Sequence, residues 1–420
     1  MNIQTVHVSN FKSFSDETIH FDKINVLIGA NASGKSNVIA IFRFLTNIMN
    51  YGIDNAISML GGMEYLLNAN IGKRKPLNMS FSIFFSDEKW FRALDKKRTA
   101  IVRLDELQYE FELTPHKRGD GYKITRDSLQ LVFSSVSKKE DDLPINDKYI
   151  VSLCKDKKGT VHSSLDCENL AILTDEQQRN LCYSFFLPYI NENDNRKELL
   201  IRDAGILLPP AFQRNNFLKI FDFDPNLMKQ SAHLRSLNRL EENGSNIAII
   251  LQQILKNKAT GKRLISLMKD CFPFFEDIEI ENNFDQSITY KIKETYSPQK
   301  FYSNFLSDGT VSMLALIIAL YFTDGSKIVI LEEPERNLHP QLMKKLVELA
   351  ADASAEKQIV ITTHTPEIIK YAERKNLLLA HRSNVGFTSI EKPDENEHIQ
   401  AFLKNDIGID ELFIQNLLGV

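Results

Sequence analysis

Apolar positions follow different rules in different stretches of this chain. Near the start, residues 26–28 form a short unbroken apolar run. A glycine-bearing turn follows, and then Val38, Ile41, Phe42, Leu45 and Ile48 share one helical face. Toward the end, residues 328–331 form a second run, a helix is expected over 341–351, and "QIVITTH" supplies a third run. Unbroken runs of this length read as strands covered on both faces, as in a parallel sheet with helices packed against it. Residues 77–133 behave otherwise. "LNMSFSIFF", "TAIVRLDELQYEFELT" and "GYKITRDSLQLVF" alternate or run apolar and are rich in β-branched and aromatic residues. They predict an antiparallel sheet with turns at "DEKW" and "HKRGDG".

Between these regions, residues 137–165 are polar and lysine-rich, and are expected as exposed loops or short strands. Residues 174–272 are mostly helical in pattern, and "NGSNIAIILQQIL" has cap-like Asn and Ser before its apolar periodicity. "FFEDIEIENNFDQSITYKIKETY" returns to strands, and "LSDGTVSMLALIIALYF" is a loop leading into a buried helix. Strand–helix units thus bracket other material. The division expected is a first lobe at 1–135, a largely helical insertion at 136–280 and a second lobe at 281–420.

Composition narrows the setting. The chain has 420 residues, 43% apolar and 25% charged, the balance of an ordinary globular protein of two to three domain-sized units. No run of about 18 apolar residues predicts a membrane span. The start "MNIQTVHVSNFKSF" has neither the basic nor the apolar region of a signal peptide. Cys154, Cys167, Cys182 and Cys271 are spaced for neither zinc nor a disulfide framework and read as reduced thiols. A cytoplasmic location is expected, with no membrane partner. Net charge is −4, so contact with nucleic acid would need local patches.

"GANASGKS" matches G-x-x-x-x-G-K-[ST] completely, between an apolar run and a helical pattern. In such a turn the backbone N–H groups of Gly29, Asn31, Ala32, Ser33, Gly34, Lys35, Ser36 and Asn37 can converge on phosphate oxygens at a helix N-terminus. Lys35 would reach the β- and γ-phosphates, and Ser36 would ligate Mg²⁺. The cofactors expected are ATP and Mg²⁺.

"KIVILEEPERNLHP" places Glu332 and Glu333 at the end of a buried strand. In P-loop ATPases a second strand ends in acids that face the Mg²⁺ and the attacking water. Glu332 would hold the metal, directly or through water, and Glu333 would orient or deprotonate the water. "FLSDGT" puts Ser307, Asp308 and Gly309 at a helix N-terminus, another anion site, although "SDG" alone is a common turn. His364, in "TTHTP" after the last buried strand, could donate to a γ-phosphate oxygen.

Together "NFKSF", "GANASGKS", "LSDGT", "ILEEPERNLHP" and "TTHTP" resemble the ABC-type ATPase heads of the SMC, RecF and OLD group. Within it the chain is most similar to bacterial AAA-type ATP-binding proteins, many of which belong to anti-phage systems. The resemblance implies an α/β fold: a P-loop NTPase head of ABC type with an antiparallel β lobe and a largely helical insertion. It implies that Lys12 lies near the nucleotide, and that Ser307 and Gly309, with Asp308 between them at the nucleotide site, act in trans in an ATP-sandwiched homodimer or a higher oligomer. It further implies that residues 335–339 cross the dimer interface, and that His364 is the switch histidine.

The chain departs from the family pattern in three places. Glu332 stands where Asp is usual, and Asp308 where a second glycine is usual. No clear Q-loop glutamine follows the first helix, and "GGMEYLL" lies about where one is expected. Too little chain follows His364 for a Toprim nuclease domain, and no long heptad run predicts a coiled coil. A separate effector or nuclease subunit is therefore expected to carry any destructive activity. DNA or RNA contacts would fall on basic clusters such as Lys73-Arg74-Lys75, Lys96-Lys97-Arg98, 155–158 or 256–263. Three alternatives remain open: a RecF-like DNA repair ATPase, a nucleotide-binding scaffold with little turnover, and a transporter subunit. The transporter reading fits poorly with so long an insertion between Lys35 and Ser307.

Overall fold

The computed structural model describes residues 1–85, 89–93, 99–119, 121–135, 148–156, 159–167, 198–201, 217–233, 237, 239–323, 325–395, 399–400 and 409–415. The chain forms two compact units, each assembled from separated segments. One comprises residues 1–22, 37–217 and 382–390, and the other 23–36, 218–381 and 391–420. These units do not follow the three consecutive segments expected. The phosphate-loop residues 29–36 belong with the second unit, because strands far apart in the chain pair into one sheet.

The first unit carries an eight-stranded antiparallel sheet. Its strands are β1 (Asn2–Phe11), β2 (Phe14–His20), β4 (Leu77–Phe84), β5 (Lys89–Ala93), β6 (Thr99–Pro115), β7 (Tyr122–Ser135), β8 (Lys148–Lys155) and β9 (Val161–Cys167). The order is β2-β1-β4-β6-β7-β8-β9, with β5 on β6. Alternation decides which face is covered: Leu77, Met79, Phe81 and Ile83 are buried and pair across with Leu113, Phe111, Tyr109 and Leu107. Helix α1 (Lys35–Tyr51) supplies aromatic cover, its Phe44 ring lying 6.0 Å from Phe11 and 6.3 Å from Phe111. All five apolar positions expected on one face of α1 are buried. The "DEKW" stretch is partly strand, since Lys89 and Trp90 open β5; residues 86–88 lie outside the described residues. The lysine-rich stretch contributes β8 and β9 to the sheet.

The second unit is built on parallel strands in the spatial order β10 (Leu218–Phe221), β15 (Ile328–Glu332), β16 (Gln358–Thr363), β3 (Ile24–Ile28) and β17 (Leu377–Arg382). Every residue of β3 and β16 is buried, as unbroken apolar runs require. Against them lie α4 (Asp308–Tyr321) and α5 (Pro340–Ala353). Residues 310–320 of α4 are buried without exception, so its lack of a polar face reflects cover on all sides. A small antiparallel sheet joins the same unit: β11 (Ala232–His233), β12 (Phe275–Asn282), β13 (Ser287–Glu294) and β14 (Lys300–Tyr302). Helices α2 (Ile247–Lys256) and α3 (Lys258–Cys271) contribute to its core. Most of the expected helical stretch before residue 217 lies outside the described residues, and 217–272 mixes strands with helices. Among the described residues no helix is long and apolar enough to cross a membrane.

Register sets up the site. Glu332 pairs with Thr362, Thr362 with Leu27, and Thr363 with Ile28, so the carboxyl ends of β15, β16 and β3 finish at one edge. Ligands of open parallel sheets bind at that edge, outside the carboxyl ends of the strands.

Candidate active site

Between β3 and α1 the chain turns through Gly29 and its neighbours. A β-carbon on Gly29 would lie 2.4 Å from Ser33 Oγ and 2.7 Å from the Ala380 carbonyl, so only glycine fits there. Ala32 and Gly34 are left-handed, with φ of 66° and 113°. The alanine carries roughly 1–2 kcal/mol of strain for that conformation. Asn31, Ala32 and Ser36 are exposed, whereas Ser33, Gly34 and Lys35 are buried. The Lys35 ammonium donates to the carbonyls of Gly29 (2.6 Å) and Ala30 (2.9 Å), folded across its own loop. Burial lowers its pKa, against the opposing charges of Glu333 and Glu335.

The acids meet this loop from the neighbouring strand end. Glu332 Oε1 accepts from the Ser36 hydroxyl at 3.2 Å. Glu333 turns out of β15 with φ of 42°, and its N–H donates to Thr362 O at 3.0 Å. Its side chain is held from two sides. Arg336 lies 2.9 Å from Oε2, and His364 Nδ1 lies 3.3 Å from Oε1. Burial pushes the Glu333 carboxyl up, but Arg336 and His364 outweigh it and leave the pKa below the usual value. Arg336 reaches on to Asp222 at 2.9 Å, at the end of β10.

The "LSDGT" turn caps α4. Ser307 Oγ accepts from the Thr310 N–H at 3.1 Å. Asp308 forms an ion pair with Lys229, which offsets a negative charge at a helix N-terminus suited to anions. A β-carbon on Gly309 would lie 3.1 Å from the Asn337 carbonyl, so this turn packs against the 335–339 segment of its own chain.

Two candidates belong to the first unit. Lys12 is left-handed, at φ of 51°, and its N–H donates to Leu66 O at 2.7 Å; burial lowers the pKa of its ammonium. The stretch "GGMEYLL" thus buttresses the Lys12 turn. Asn37 gives its amide to Ser13 Oγ at 2.7 Å, within the first unit. Among the basic clusters, Lys73 pairs with Glu64 at 3.2 Å and Arg263 stacks 5.3 Å over the Tyr321 ring. Residues 96–98 and 157–158 lie outside the described residues.

Sequence reasoning missed Arg336, Asp222 and Lys229. Arg336 had a signal in its i,i+3 spacing from Glu333. Asp222 and Lys229 had none, since only tertiary pairing brings them to their partners. For a metal, no group of three or more His, Cys, Asp or Glu side chains gathers among the described residues. Ser36 and Glu332 offer adjacent oxygens, which suits an Mg²⁺ ion that keeps its waters and arrives with phosphates.

A glycine-turned loop at a helix N-terminus, paired acids on one neighbouring strand end and a histidine beyond another define a P-loop ATPase of the ABC type. Residues 24–370 match the family described as "AAA domain, putative AbiEii toxin, Type IV TA system", and the chain belongs to that family. It is 22% identical over 382 residues to an "ATP/GTP phosphatase" of Helicobacter pylori, covering 89% of this chain and 88% of that protein. It is 22% identical to the "Retron Ec83 probable ATPase" of Escherichia coli, covering 90% of this chain and 71% of that one. It is 20% identical to "Endonuclease GajA" of Bacillus cereus over 91% of this chain, and spans only 58% of that relative.

Proposed function

We propose that this chain is a cytoplasmic, ATP-operated switch that closes as a homodimer and controls a separate effector. The observation that carries the reading is the meeting of Ser36 with Glu332 and of His364 with Glu333, at one edge of the sheet beside the phosphate loop. In this reading the loop N–H groups and Lys35 bind the ATP phosphates. Ser36 and Glu332 hold Mg²⁺, whose chemistry is to offset charge on the transferring phosphoryl group. Glu333 takes the proton of the attacking water, and His364 donates to a γ-phosphate oxygen. Arg336 must release Glu333 before it can act as a base, because an ion-paired carboxylate is a weaker one. Ser307 and the α4 N-terminus meet the γ-phosphate of a second copy.

The effector is proposed to be directed at nucleic acid, in bacterial anti-phage defence. The retron and endonuclease relatives support that setting over DNA repair. Light scattering with and without ATP, alongside steady-state hydrolysis, tests the switch. A chain that hydrolyses ATP as a monomer, with no ATP-dependent association, refutes it; association without turnover would favour a scaffold.

A further inference from the structure

A third carboxyl group lies under the acid pair. Glu335 is only 4% exposed, two residues beyond Glu333. Its Oε1 accepts from the Thr363 hydroxyl, while its Oε2 is buried and has no hydrogen bond of ordinary geometry. The Thr365 hydroxyl also stands within reach of the carboxyl group and, like the Thr363 hydroxyl, favours its charged form against the burial that raises its pKa. A carboxyl group withdrawn from water is a costly placement, and an apolar side chain would fill the space without that cost.

The connections show what the placement accomplishes. Thr363 is the last residue of β16, and its hydroxyl also accepts from the Thr365 N–H at 3.0 Å. The two threonines flank His364. On the other side, Glu335 sits in the turn after β15, where Arg336 N–H donates to Glu333 O at 3.1 Å and Leu338 N–H to Glu335 O at 2.9 Å. The side-chain bond from Thr363 to Glu335 therefore links the loop that carries His364 to the loop that carries Glu333. It lies alongside the 3.3 Å contact between those two residues.

We propose that Glu335 is a positioning residue for hydrolysis, whose carboxyl group, through Thr363, fixes the His364 imidazole against Glu333. The inference rests on the roles given above to Glu333 and His364. Glu335 touches no substrate in this account. It acts by holding two loops in register, where a misplacement of about 1 Å can lower a rate about a hundredfold.

The test uses the full chain and four variants: Glu335→Ala, Glu335→Gln, Thr363→Val and the Glu335→Ala/Thr363→Val double. Steady-state hydrolysis gives kcat, and a fluorescent non-hydrolysable ATP analogue gives Kd. Glu335→Ala and Thr363→Val should each lower kcat by roughly ten- to a hundredfold with Kd unchanged. The double variant should be no slower than either single one, because both remove the same link. Glu335→Gln retains an acceptor for Thr363 and should keep most of the rate.

A wild-type kcat in Glu335→Ala or Thr363→Val overturns the proposal, as does Glu335→Gln falling as low as Glu335→Ala. If Glu335→Ala fails to fold, Thr363→Val decides alone. Glu333→Gln, run in parallel, separates the two levels. If it hydrolyses ATP normally the site reading itself has failed; if it is inactive while Glu335→Ala is normal, only the positioning role has.

Discussion

Glu333→Gln removes a proton acceptor and leaves nearly all else in place. The amide is the same size as the carboxylate, and its oxygen can still accept from Arg336 or His364, which lie at 2.9 and 3.3 Å. What is lost is the capacity to take a proton from water. Loss of a positioned general base lowers a rate by about 10²–10⁴, and the lower figure corresponds to about 2.7 kcal/mol of activation free energy. ATP binding should move little and in a definite direction. The negative charge of Glu333 acts on Lys35, so its removal leaves a more positive phosphate site and equal or tighter affinity. Single-turnover hydrolysis of labelled ATP, with a separate nucleotide-binding titration, measures both quantities. A decrease of at least about a hundredfold in hydrolysis, with Kd no weaker, is expected, together with accumulation of an ATP-bound dimer. Hydrolysis at the wild-type rate with normal binding would refute Glu333 as base and move the role to Glu332.

Lys35→Ala should weaken ATP binding by at least roughly tenfold, since it deletes a charge-assisted donor to phosphate; unchanged affinity in a titration would sink the loop assignment. Ser307→Arg should leave ATP binding by the monomer near normal but block closure and hydrolysis, and mixing it with Lys35→Ala protomers should return partial activity from the one intact composite site. No recovery from two folded, dimerising variants would refute sharing across an interface. Glu335 gives a pH signature. Burial raises its pKa in the folded state, so the folded chain binds the proton more tightly, and stability falls as pH rises from about 4.3 through the folded pKa. Glu335→Gln should flatten that fall in chemical denaturation, and an unchanged slope would show that the carboxyl group is not desolvated.

Much of this protein is legible one segment at a time. The phosphate loop is consecutive in sequence, so its glycines and Lys35 announce it without any knowledge of the fold. The unbroken apolar runs of β15 and β16 and the apolar circumference of α4 report burial directly, because an element covered on all sides has no room for polar residues. The tertiary structure decided which strand ends meet. Ser36 and Glu332 are 296 positions apart and touch only because β16 inserts between β15 and β3. The same insertion sets Thr363 over Glu335 and His364 beside Glu333. Lys229 finds Asp308 across 79 positions, a pairing that no short stretch of sequence announces. Glu335 is buried within its own chain, a solvation state that its polar neighbours in the sequence do not announce. Local pattern records how each residue is solvated, whereas the order of strands in a parallel sheet depends on crossover packing that no short stretch of sequence contains.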